Sequence, residues 1–278
     1  MSHLEMVVGA RDGLPLHLYC WPPAGAPRGV LLATHGHGEY TLKYTHVAEA
    51  LNAGGYAYCG YDTRGHGRSG GPRGHVPRYE AFLSDLHQVR EAVEEMFPAL
   101  PLFLLGHSLG GQITLAYLIE RQPSIAGAVV SAPWLRPIFT PPAWKMMLAR
   151  VLSGAAPAFQ QDTGLDAAVP MTHDEVLKNA YPEPHLSHSL MSARLGMEAL
   201  ARGEAVFQRA AEVRAPLLLL HGEADGVFAA SDSQAFFERV GAPDKTFRIY
   251  PGLYHEILNE TERRTVFADI LSWLDARV

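Results

Sequence analysis

The sequence is poor in the features that mark several large protein classes. Cysteine occurs only at Cys20 and Cys59, too few for a disulfide scaffold or a cysteine-built metal site, so both are expected to be buried thiols. Lysine and arginine form no long run and the net charge is −6, which disfavours binding to a nucleic-acid phosphate backbone. No stretch approaches the roughly 18 apolar residues of a spanning helix, and the start "MSHLEMVVGARDG" has no basic segment followed by an apolar core. A cytoplasmic location is expected, with peripheral contact at a membrane surface left open. Oligomeric state leaves no trace in the sequence.

What is present is a chain of 278 residues, 47% hydrophobic, enough for one large α/β domain with an insertion. Leu4 to Val8 and Leu14 to Trp21 flank Asp12-Gly13, a strong hairpin signal. Short apolar runs follow at 29–35, 56–62, 101–107, 125–132, 216–222 and 245–251, as expected of parallel strands buried on both faces. Helical spacing links Val47, Ala50 and Leu51; Phe82, Leu86, Val89 and Val93; Ile113, Leu115 and Leu118; and Val266, Ile270 and Leu274. Strand alternating with helix predicts a doubly wound, mostly parallel eight-stranded sheet with helices on both faces. Residues 133–213 carry no convincing strand and are expected to form a helical cap between two core parts, 1–132 and 214–278.

"GHSLG", Gly106 to Gly110, matches G-x-S-x-G where a buried strand gives way to a helix. Ser108 is either a helix cap or a nucleophile. A nucleophile needs an acid and a base later in the chain, on loops at the same end of the sheet. "HGEAD" offers Glu223 and Asp225, with spacing alone leaving both open, and "YHE" offers His255. The oxyanion requires two amides: that of Leu109, just after the serine, and that of His37 in the glycine-rich turn "THGHGEY". A zinc site on His35 and His37 lacks the accompanying ligand set.

With these segments and "YDTRGHGRSGGPRG" in view, the chain resembles the monoglyceride lipase and lysophospholipase group of α/β-hydrolases. That group carries an HG-x-GE loop, an RGHG-x-S-x-G segment, a GHS-x-GG elbow, and HG-x-x-D and H-E segments near its end. The resemblance runs over nearly the whole chain and implies Ser108 as nucleophile, Asp225 rather than Glu223 as acid, and His255 as base. It implies the amides of His37 and Leu109 as oxyanion donors, and monoacylglycerol as the ester. No cofactor or metal is required, and the partner is a small lipid ester. Lysophospholipase and general carboxylesterase are the alternatives, with a peptidase or a non-catalytic ligand-binding receptor behind them. Glu39 is poised either to accept hydrogen bonds from a polyol or to pair with Lys43 one helical turn on. Trp144, Met147, Leu148, Val151 and Leu152 form one helical stripe, read as core packing, as the wall of an acyl pocket, or as a lipid-touching surface. "RGHGRSGG" lacks a P-loop ending and is expected to be a structural turn.

Overall fold

The computed structural model describes residues 3–139 and 141–278. The hairpin forms as expected: β1 (Leu4–Gly9) pairs antiparallel with β2 (Pro15–Trp21). Then follow β3 (Val30–Thr34), α1 (Thr45–Ala53), β4 (Ala57–Tyr61), α2 (Glu80–Met96), β5 (Leu102–His107), α3 (Leu109–Arg121) and β6 (Gly127–Ser131). Between β6 and the next core strand lie α4 (Ala143–Ala155), β7 (Gln160–Asp162), α5 (Leu165–Ala168), α6 (Glu175–Asn179), β8 (Leu190–Ser192) and α7 (Ala193–Gln208). The chain ends with β9 (Leu217–Gly222), α8 (Ala230–Arg239), β10 (Lys245–Tyr250) and α9 (Arg263–Asp275).

Eight strands make one sheet in the order β1-β2-β4-β3-β5-β6-β9-β10. β2 meets β4 antiparallel and every pairing from β4 to β10 is parallel. The strands β3, β4, β5, β6 and β9 are buried along their whole length, which is why they read as continuous apolar runs and not as alternation. Each is still two-sided. Leu32, Leu104, Val130 and Leu219 meet α2, α3 and α7 on one face, while Leu31, Phe103, Val129 and Leu218 meet α1 and α9 on the other. A fully buried Leu or Phe contributes about 1.5–3 kcal/mol, and this double layer holds the carboxyl ends of the strands rigidly in line.

Two expectations are corrected. Cys20 and Cys59 are not separate thiols: they are paired positions of β2 and β4, with Cα atoms 4.1 Å apart and sulfurs joined in a disulfide. Their separation of 39 residues carries no signal until strand order is known. The segment between β6 and β9 is also not strand-free, since β7 and β8 pair antiparallel. At three residues each they are too short to display a period-two pattern. The end of that segment is built into the main core, because Leu195, Ala199 and Val206 of α7 join the cluster that includes Ile113 and Leu115 of α3.

Candidate active site

The turn from β5 to α3 puts Ser108 at φ 55° and ψ −117°, a region that side-chain-bearing residues rarely occupy. Such a conformation costs on the order of 1–3 kcal/mol and persists only where its surroundings over-determine it. Here the Ser108 amide donates to Ser131 O at 3.0 Å, and its carbonyl accepts from the amides of Gln112 and Trp134, each at 3.0 Å. Gly110 is required for the helix to start so close to the sheet: a Cβ there would lie 2.0 Å from Thr34 O. The Ser108 hydroxyl makes no capping hydrogen bond, so it does not cap α3 through its side chain.

β9 and β10 deliver the next two groups to the same end of the sheet. Asp225 Oδ2 accepts from His255 Nδ1 at 2.7 Å, and Asp225 Oδ1 accepts from the amides of Val227 at 2.7 Å and Phe228 at 3.1 Å. Burial opposes ionisation of Asp225, yet the charge of His255 and hydrogen bonds from His221 and His255 outweigh it, holding the carboxyl well below the usual carboxylate range. For His255 burial likewise disfavours the charged form, and Asp225 more than reverses this, leaving its pKa above 6.5. Glu223 stands apart, solvent-exposed, accepting the Gly252 amide at 3.3 Å. The ring of His255 packs between those of His107, at 4.8 Å, and Phe228, at 5.4 Å. Burial, then the neighbouring His255, takes His107 down to about 4, so it stands there as a neutral ring. Ser108 and His255 face one cavity, though no hydrogen bond joins them in this structure, as is common before substrate tightens a site.

The loop after β3 approaches Ser108 from the other side. Gly38, at φ +75°, lies so near the segment before β8 that a Cβ would sit 2.2 Å from His188 O, and its own carbonyl accepts the His188 amide at 3.0 Å. Glu39 borders the cavity with both of its carboxylate oxygens already bonded to the protein. Its Oε2 accepts from the Gly36 amide and the Tyr44 hydroxyl, each at 2.7 Å, and its Oε1 accepts from Lys43 Nζ at 2.5 Å. Lys43 donates also to Glu256 at 2.7 Å and stands 5.0 Å over the Tyr181 ring. Of the two readings for Glu39, the structure places it with Lys43. The Tyr40 hydroxyl donates to Pro182 O.

The side chain of His37 is buried with no partner on either ring nitrogen, edge-on to His66 and His188 at 5.4 and 5.6 Å. Burial, then the adjacent imidazoles, brings it down to about 3, so it is a neutral ring at ordinary pH. His35 is committed to its own backbone neighbourhood, Nδ1 donating to Gly36 O at 2.7 Å and Nε2 accepting the Thr63 amide at 3.0 Å. Among the described residues no group of three or more His, Cys, Asp or Glu is placed to hold a metal ion. "RGHGRSGG" is a structural turn, with Arg64 forked onto Asp85 at 2.5 and 2.6 Å and reaching Asp12 at 2.9 Å.

Ser108, His255, His37 and Glu39 share a cavity of about 280 Å³. Glu39, Lys43 and Glu256 border one part of it, and Trp134, Phe139, Val169, Met171, Met191 and Phe228 supply apolar walls. The expected wall residues on α4 do not: Trp144, Met147, Leu148 and Val151 are 63%, 67%, 50% and 59% exposed and none borders the cavity. Nor do they pack on the core. α4 is apolar on two sides, and Met146, Ala149, Leu152 and Ser153 form the side turned toward α7. Periodicity alone cannot say which of two apolar stripes faces inward. The apolar walls come from loops, from the end of α5 and from the three-residue strand β8, segments too short or irregular for a period to reveal them.

Residues 25–262 match the family described as serine aminopeptidase, S33. The chain is 34% identical over 254 residues to a protein named monoacylglycerol lipase from Mycolicibacterium smegmatis, covering 91% of this chain and 90% of that one. It is 29% identical over 271 residues to the monoglyceride lipase of Homo sapiens, covering 96% and 88%. Among solved structures, it is similar to a soluble variant of monoglyceride lipase from Saccharomyces cerevisiae in complex with a substrate analog. That likeness has a TM-score of 0.87 and 26% identity, with 100% and 97% of the two chains covered.

Proposed function

We propose, since the chain belongs to the family described as serine aminopeptidase, S33, that this serine hydrolase cleaves monoacylglycerol to glycerol and a fatty acid through an acyl-enzyme. The observation that carries the reading is the single cavity onto which Ser108, His255 and the oxyanion loop all open, apolar along one part and hydrogen-bonding along another. In the reaction Ser108 Oγ attacks the ester carbonyl while His255 Nε2 takes its proton. Asp225 holds the proton on Nδ1 and so keeps Nε2 free to act as base. The amides of His37 and Leu109 receive the developing oxyanion; among the described residues neither has a protein acceptor. His255 then returns the proton to the departing glycerol oxygen, and water, activated the same way, releases the fatty acid.

The polar end favours a neutral head group. Glu39, Lys43 and Glu256 form a buried group of two carboxylates and one ammonium, so a phosphate placed there meets a net negative charge. An aminopeptidase needs a carboxylate to receive the substrate's free amine, and both carboxylates bordering the cavity are engaged already, Glu39 by Lys43, Tyr44 and Gly36 and Glu256 by Lys43 and Asn259. Residues 133–213 act as the cap over this cavity, anchored in the core through α7. The outward stripe of α4 rests transiently on a lipid surface, from which the substrate is drawn.

The experiment is a panel carrying one acyl chain on glycerol, glycerophosphocholine, methanol and an amide. The glycerol ester is expected to have the highest kcat/KM, rising with chain length until the apolar walls end. Preference for the amide overturns the reading in favour of a peptidase, and a flat response to both head group and chain length in favour of a general esterase.

A further inference from the structure

Near the end of β9 stands a second histidine, His221, which is fully buried, touches Asp225 and does not border the cavity. Its Nε2 lies 3.0 Å from Asp225 Oδ2 and 3.0 Å from Phe228 O. Both are acceptors only, as long as Asp225 is ionised, so Nε2 must carry the proton. Nδ1 is then an acceptor, and Ser233 Oγ of α8, also buried, stands 2.8 Å from it with a hydroxyl to donate. A hydrogen-bonded line therefore runs from α8 to the cavity: Ser233, His221, Asp225, His255. Oδ2 is shared, receiving His221 and His255 on the same oxygen.

We propose that His221, with its tautomer set by Ser233, is a positioning residue for the acid. It holds Asp225 Oδ2 in the direction that keeps the proton on Nδ1 of His255, and it moderates the basicity of the carboxylate that His255 senses. The inference rests on the assignment of Asp225 as acid. A carboxylate with one donor removed is a stronger acceptor for the donor that remains. Loss of His221 should therefore raise the pKa of His255 as well as loosen the aspartate. The other ionisable groups facing His255 are Glu256, Glu39 and His107, and the substitutions below leave all three in place.

The decisive comparison is among His221→Gln, His221→Asn and the paired change His221→Leu with Ser233→Ala. Glutamine reaches the position of Nε2 and offers two hydrogens for the same two acceptors. Asparagine reaches Ser233 but falls short of Asp225. The leucine and alanine pair fills the space without polar atoms and strands no donor. Each is measured for fluorophosphonate labelling, for kcat and KM on one monoacylglycerol, and for the pH dependence of kcat/KM. Asparagine and the apolar pair are expected to lose about tenfold to hundredfold in kcat, as outer-sphere partners of catalytic groups do, with KM little changed and the acid limb moved to higher pH. Glutamine should recover at least about tenfold of that loss and return the limb. If glutamine is no better than asparagine, or if neither differs from the parent in rate and profile, the positioning role is wrong; should the apolar pair not fold, glutamine against asparagine still decides. Ser108→Ala and Asp225→Asn run in the same assay keep the two questions apart, because full activity in those would remove the underlying assignment instead.

Discussion

Glu39 Oε2 accepts the amide of Gly36 at 2.7 Å, closing the loop that carries His37 into a single turn whose far side abuts Ser108. That carboxylate is buried, and Lys43 and Tyr44 hold it charged against the pull of burial. We propose that its role is to fix the direction of the His37 amide. Glu39→Gln keeps an oxygen for Gly36 but leaves Lys43 with half its counter-charge, and one strong buried hydrogen bond is worth roughly 1.5–3 kcal/mol. We expect kcat to fall about tenfold to hundredfold with KM nearly unchanged, and affinity for a tetrahedral inhibitor to fall in parallel. A rise in KM for glycerol esters alone, with kcat intact, would return Glu39 to the head group.

Ser108→Ala should abolish fluorophosphonate labelling and lower kcat by on the order of 10⁶. Asp225→Asn should keep the fold, lose about 10⁴ in rate through the wrong imidazole tautomer, and leave labelling slow but specific. Glu223→Gln, at an exposed carboxylate far from this pairing, should be silent. A crippled Glu223→Gln beside an active Asp225→Asn would exchange their roles.

The His37 amide, not its ring, is expected to matter. His37→Ala removes a neutral imidazole with no hydrogen-bond partner and should retain most of the activity. His37→Pro removes the amide hydrogen and should lose about 10²-fold or more in kcat, as loss of an oxyanion donor does. Thermal melting must show both variants folded, and equal severe losses would assign the ring a function.

The middle of the sheet was legible because β3, β4, β5, β6 and β9 are buried on both faces and α2 and α9 on one, so each sequence period there maps onto a single environment, whereas the edge strand β10 is largely exposed. The run from Pro216 to Gly222 and the spacing of Phe82, Leu86, Val89 and Val93 are examples. The strained turn at Ser108 was legible because such a turn permits few residues, as Gly110 against Thr34 illustrates. What could not be read was lateral. The disulfide depends on strand order and register, the contacts of His221 on which helix crosses beneath β9, and the choice of inner stripe on α4 on what packs against it. Glu39 was undecided for a related reason, since its partners Tyr44 and Gly36 are local but Glu256, which completes the charge balance of Lys43, arrives from the far end of the chain.

Acid should destabilise the fold well before the carboxylates titrate. Burial takes His107 and His46 down to about 4 and His37 to about 3, and holds His66 well below the ordinary value. An unfolded histidine titrates near 6.5, so below that pH the unfolded chain binds protons that the folded chain refuses. The stability these groups contribute is fully present above about 6.5 and is lost as pH falls toward 4, while the raised pKa of His255 acts in the opposite sense for one group only. Between pH 6 and 5 each refused proton is worth up to about 1.4 kcal/mol per pH unit. His46 does not border the cavity and donates to Leu258 O at 3.0 Å. His46→Gln, which keeps a donor but cannot charge, should flatten the pH dependence of denaturant unfolding by close to one proton, and an unchanged slope would refute this account.

The outward stripe of α4 allows a test of how substrate is reached. Trp144, Met147, Leu148 and Val151 lie on one exposed side of the helix, and Phe139, more exposed than any of them at 73%, also borders the cavity. Among the described residues no helix is long and apolar enough to cross a membrane. Side chains of this size gain up to roughly 1.5–3 kcal/mol each when fully removed from water, so partial insertion of several of them would give the weak, reversible surface binding that the proposal requires. Met147→Glu with Val151→Glu places two carboxylates on that face without touching a residue that lines the cavity. On a water-soluble short-chain ester the variant should match the parent. On monoacylglycerol presented in phospholipid vesicles it should fall by about tenfold or more, with a corresponding loss of vesicle co-sedimentation. Equal rates on both forms of substrate would mean that α4 never meets the lipid, and that monoacylglycerol reaches Ser108 from solution.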